Sequence, residues 1–186
     1  MGRYRPNDEK LKELILLIAE WSQSDPKFGA IKLNKLLFHC DFSSYLTYGR
    51  AITWQEYFAL KQGPAPRRLK LLAERMRKNA ELAYKEEPYY NHTKKTPVAL
   101  RPANVKVFSA QEIVLIRRTI EKFWEKNATE MSEESHLFLG WKAARLMETI
   151  PYSTAFVGCR PPTSEERDRG LQLRQLASQV LSRAER

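Results

Sequence analysis

Cysteine is scarce in this 186-residue chain, which has two, Cys40 and Cys159. Both stand among apolar or small residues, so no disulfide framework staples the fold, and a reducing compartment, the cytoplasm, is expected. Long apolar runs are missing too: none approaches the roughly 20 residues that a membrane-spanning helix requires. The opening "MGRYRPNDEK" lacks an apolar signal-peptide core, so neither export nor insertion is expected. Gly2 follows Met1, but Pro6 stands where a myristoylation signal needs Ser or Thr. Histidine occurs three times, as His39, His92 and His136, and no pair shows the spacing of H-x-x-x-H or C-x-x-C, so no metal site is expected. G-x-S-x-G, Walker and G-x-G-x-x-G sequences are absent, and spacing alone does not bring Asp41, Glu56 and His136 together as an acid–base group. An enzyme is therefore not expected, nor a cofactor. There is no internal repeat and no low-complexity segment.

Positive charge, by contrast, is abundant. The net charge is +10, and most of it is local: residues 61–107 hold 12 basic and 4 acidic residues. Such a stretch can meet phosphates, an acidic protein or only solvent. Arg67, Arg68, Lys70, Arg75, Arg77 and Lys78 lie on a predicted helix with an apolar side, so an amphipathic surface helix accounts for much of the cluster.

Apolar spacing predicts mostly helix. Leu11, Leu14, Ile15, Ile18 and Trp21 recur at helical intervals over 8–22, with Asn7 as N-cap and Asp8 and Glu9 near the positive end of the helix dipole. A second helix is expected from about Ala30 to Tyr48, stopped by Gly49. "AITWQEYFALKQGP" suggests a strand ending in a Gly63–Pro64 turn, and "APRRLKLLAERMRKN" returns to helix. Residues 81–107 suggest two short strands joined by a long polar connection, "EEPYYNHTKKTP", which with the earlier strand makes three. "SAQE" is a capping box from Ser109 to Glu112, and Asn127 opens a helix containing "SHLFLGWKAARL". Thr163 and Glu166 cap a last, polar helix.

Projected at about 100° per residue, segment 31–48 is apolar on two sides. Leu33, Leu36, Leu37 and Cys40 form one stripe; Ile31, Phe38, Phe42, Tyr45 and Leu46 form another. Between them run polar strips, one with Lys32, Lys35, His39 and Ser43, the other with Asn34, Asp41 and Tyr48. A helix of this kind belongs between two layers. The expected fold is thus α+β: a mainly α-helical single domain with a central buried helix and a small three-stranded antiparallel sheet.

"KLNKLLFHCDF", "YGRAITWQEYFALKQGPAP" and "SHLFLGWKAA" together resemble the Panacea domain, the Soc-type antitoxin domain of bacterial and phage toxin–antitoxin operons. The shared pattern is a lysine-leucine helix ending in Asp-Phe, a Gly-x-x-Ile-Thr turn, a Gly-Pro break and a later Ser-His with Trp five residues after the His. The resemblance implies a domain spanning 1–162, with 163–186 as a surface helix of the same unit. It also implies no catalysis, and a partnership with a cognate protein toxin, encoded by an adjacent gene, that is blocked or handed to a protease or chaperone. Leu33, Leu36, Leu37, Asp41, Phe42, Gly63, Pro64, His136 and Trp141 are its motif residues, mostly structural. Asp41 is expected to accept bonds from backbone near Gly63, and His136 to join Trp141 in one packed cluster. Lys32, Lys35, Arg67, Arg68, Tyr89 and Tyr90 are the candidate toxin contacts, with Lys32 and Lys35 read either as a solvated edge or as a site for an acidic partner. The alternative is a nucleic-acid-binding protein using Arg67 to Lys78.

Overall fold

The computed structural model describes residues 5–89, 92–158, 163–165, 167–172 and 175. Helix α1 spans Asp8–Trp21, with the Asn7 side chain accepting from the Lys10 N–H, and α2 spans Ala30–Tyr48. Gly49 ends α2 in the left-handed conformation at φ 69°, which glycine adopts without Cβ strain. Strands β1 (Tyr57–Leu60) and β2 (Gly63–Pro66) follow, then α3 (Leu69–Lys78), β3 (Leu82–Tyr89) and β4 (His92–Ala99). Helix α4 (Ala110–Lys122) opens on the reciprocal Ser109–Glu112 capping box, and α5 (Ala128–His136) opens on an equivalent pair, Asn127 and Glu130. Helix α6 (Leu139–Ala143), β5 (Thr149–Ile150) and two 3₁₀ turns, Val105–Val107 and Tyr152–Phe156, complete the elements.

α2 is the axis of the structure. Leu33, Leu36, Leu37 and Cys40 enter a core shared with Leu11, Ile15 and Ile18 of α1 and with Ile116 and Ile120 of α4. Phe38 and Phe42 enter a second core with Tyr57, Ala59 and Ile150, rimmed by Phe138, Trp141 and Tyr152. Both phenylalanines are under 5% exposed, as a rod between two layers requires. The ends of the second stripe emerge, with Ile31 and Leu46 exposed and Tyr45 half-buried.

The three-stranded sheet has the order β2-β1-β5 and is antiparallel throughout. Its membership differs from the sequence expectation, because β3 and β4 form a separate two-stranded hairpin. Gly63 and Pro64 do not make the turn: Lys61 and Gln62 do, and Gly63 opens β2 opposite Leu60. Nor is "EEPYYNHTKKTP" a long connection, since β3–β4 pairing continues to Tyr89 opposite His92. Proline punctuates these sheets: Pro64 and Pro66 lie in β2, Pro88 in β3 and Pro97 in β4, while Pro151 follows β5. Strands at sheet edges tolerate proline because no neighbour needs the missing N–H. "SHLFLGWKAARL" divides between α5 and α6, and residues 164–165 and 167–172 of the expected last helix are helical and exposed.

Candidate binding surfaces around the central helix

Lys32 and Lys35 of α2 do not form a solvated edge. Lys32 and Lys35 are each about 1% exposed, a correction that removes the solvated-edge reading of both. Burial of an ammonium is tolerated because partners come from other elements. Lys32 Nζ lies 2.6 Å from Asp25 in the α1–α2 loop and donates to the Lys126 carbonyl at 2.8 Å. Lys35 Nζ donates to the Gln62 carbonyl in the β1–β2 turn. Desolvation pushes the Lys35 pKa down to about 8. Gly63, at φ 97°, leaves room for this contact: a Cβ there would collide with Lys35 Nζ and Ser135 Oγ.

Asp41 is wholly buried, and its partners are not at Gly63. It accepts from the Thr53 N–H at 2.7 Å, the Thr53 hydroxyl and the Tyr57 hydroxyl at 2.9 Å. Desolvation raises its pKa, opposed by those hydrogen bonds. The correction has a local cause: "AIT" returns beneath the end of α2 and brings Thr53 to the carboxylate, while the β1–β2 turn lies against Lys35, nearer the helix start. His136 and Trp141 do meet, stacked with centroids 4.0 Å apart and 13° between planes. The Trp141 Nε1–H donates to the Leu60 carbonyl at 2.9 Å, fastening α6 to the end of β1.

Arg67 and Arg68 are half-exposed ahead of α3, each with a carboxylate: Glu56 at 3.3 Å and Asp8 at 2.7 Å. Arg67 also lies 5.3 Å from the Phe58 ring centroid. Tyr89 is the last residue of β3, and Tyr90 lies outside the described residues.

A surface that the sequence did not single out lies where α2 ends. Tyr45 meets Trp54 at 5.8 Å, Tyr152 at 5.5 Å and Phe156 at 5.5 Å between ring centroids. Trp54 also meets Tyr152 at 5.4 Å. Phe156 is 59% exposed, and Tyr48, one helical turn beyond Tyr45, is exposed on the same side. Trp54 has φ 54°, a conformation that a bulky side chain adopts only when its surroundings impose it. Those surroundings are visible: the residue before it is clamped by Asp41, and the Gln55 carbonyl after it accepts from the Tyr152 hydroxyl at 2.8 Å. The aromatic content of "SSYLTYGRAITW" was the available signal, but Tyr152 and Phe156 come from a distant segment.

Compared with protein families, residues 33–142 match the family described as "Antitoxin SocA-like, Panacea domain". The chain belongs to this family. Neither the curated proteins nor the solved structures give a match. The Panacea match runs from Leu33 through Lys142, so it contains Asp41, Thr53, Trp54, both strands of the β1–β2 hairpin, and the stacked His136–Trp141 pair. Tyr152 and Phe156 lie beyond it and pack back onto the Panacea helix α2. An antitoxin-type role follows from the family, which points away from catalysis. Among the described residues, no helix is long and apolar enough to cross a membrane.

Proposed function

We propose that the protein is an antitoxin that neutralises a cognate protein toxin by binding it directly, through the surface formed by Tyr45, Tyr48, Trp54 and Phe156. The observation that carries this is a partly exposed aromatic cluster held rigidly on a Panacea domain. Tyrosine and tryptophan supply large contact area at low entropic cost, and such anchors dominate interface energetics. The Asp41–Thr53 clamp fixes Trp54 in advance, so less ordering cost falls on association. The toxin is expected to be the product of an adjacent gene, with a protease or chaperone as a further partner. Co-expression of that product with the antitoxin should rescue growth and yield a complex. Phe156→Asp combined with Tyr45→Ser should abolish rescue while the antitoxin stays folded; full rescue by this variant would exclude the surface.

A second reading has its own observation. Lys70, Arg75 and Lys78 on α3 are exposed and have no ion-pair partner among the described residues. They suit phosphate contacts, whose signature is an affinity falling linearly with log salt. Absence of that slope in a DNA or RNA titration removes nucleic acid as the target.

A further inference from the structure

At the start of α2, roughly 27 Å along its axis from the aromatic surface, a cavity of about 580 Å³ opens between the α1–α2 loop, β4 and α5. This lies within the size range of ligand pockets. Its lining includes four lysines, Lys27, Lys32, Lys94 and Lys95, and no Asp or Glu. The rest is largely apolar, with Pro26, Ile31 and Ala128 among the walls.

The lysines are unequal. Lys32 is committed to Asp25 and the Lys126 carbonyl, Lys94 to the Pro26 carbonyl at 2.9 Å, and Lys95 to Glu86 at 2.9 Å. The ammonium of Lys27 is exposed and has no partner among the described residues. Beside it, α2 begins on Gly29 without a side-chain cap and without an acidic residue in its first turn. The N–H groups of Ala30, Ile31 and Lys32 therefore have no acceptor among the described residues. A cation and backbone donors beside apolar walls call for a ligand that carries a carboxylate and an aliphatic group on one carbon. A phosphate satisfies the donors and leaves the walls bare. An internal Asp or Glu brings charge but no aliphatic side chain at the same residue.

We propose that this cavity captures the C-terminal carboxylate of the toxin chain, whose last residue is apolar. Only the identification of that chain as the toxin rests on the antitoxin assignment; the recognition chemistry belongs to the cavity.

The test uses the full ¹⁵N-labelled chain and the pentapeptide Gly-Ser-Gly-Val-Leu, as free acid and as C-terminal amide, with inorganic phosphate as a third probe. The free acid should shift the amides of Ala30, Ile31 and Lys32 and saturate, with the C-terminal amide at least about ten-fold weaker, because one charged acceptor is lost. Lys27→Glu, at an exposed side chain, should weaken the free acid at least about ten-fold with the remaining spectrum unchanged. Equal binding of acid and amide, no shift with either at millimolar concentration, or phosphate acting as well as the peptide would each overturn the proposal. Growth rescue is scored separately. Rescue without peptide capture overturns this site alone, whereas capture without rescue supports the site and counts against the toxin assignment.

Discussion

The ammonium of Lys35 and the Cα of Gly63 share a space too small for any further atom: a side chain at position 63 would have to displace the lysine. A single contact thus fixes a residue type on β2 and a charge on α2. Gly63→Ala is expected to destabilise the fold by about 3 kcal/mol, combining left-handed backbone strain with overpacking. Urea denaturation would show it as a lower midpoint at unchanged slope.

The same lysine sets a pH dependence. Its pKa is lowered to about 8 in the folded state by desolvation, against an ordinary 10.5. Between these values the unfolded chain binds more protons, so stability rises with pH from about 8 to about 10.5. At neutral pH the cost is fully present. The deficit of the wild type relative to Lys35→Met should therefore shrink across that window, by on the order of 3 kcal/mol. Parallel pH profiles for the two proteins would contradict the assignment.

His39 acts at the acid side. It packs against Phe123 with centroids 4.4 Å apart, and desolvation lowers its pKa to about 3, against an ordinary 6.5. Here too the unfolded state binds more protons between the two values, so stability is lost as pH falls from about 6.5 toward 3. Thermal melts at pH 7 and pH 5 should separate the wild type strongly and His39→Leu weakly.

Asp41 ties the stability of the fold to the proposed aromatic surface through Thr53. Asp41→Ala leaves the Thr53 N–H and the Tyr57 hydroxyl buried without an acceptor, a loss of about 3 kcal/mol or more. Asp41→Asn keeps one acceptor oxygen and should retain the fold. Trp54 follows the clamped Thr53 directly, so this variant should still weaken toxin binding, measured by calorimetry. Wild-type affinity in Asp41→Asn would separate the clamp from the surface.

Charge reversal at Arg67 and Arg68 should slow toxin association at low salt by roughly three- to ten-fold, with rates converging as salt screens the charges. An unchanged on-rate at low salt would remove steering by this face.

Local chemistry made much of this legible. Asn7, Gly49 and the Ser109–Glu112 pair mark helix ends because each bonds or turns within its own neighbourhood. The two apolar stripes of α2 announced the double core for the same reason. Lys32 and Lys35 misled, since a lysine on a polar strip is ordinarily solvated, and the groups that bury them, Asp25 and the Gln62 and Lys126 carbonyls, arrive from other elements. Gly63–Pro64 reads locally as a turn; its place in β2 is set by Lys35 and Ser135. β5, two residues long, has no periodicity to detect.

Every outer strand among the described residues contains a proline or stops just before one. Each interrupts the row of donors that a neighbouring copy would need to add itself as another strand. Growth of either sheet by addition of a second copy's strand is accordingly disfavoured at each of these edges.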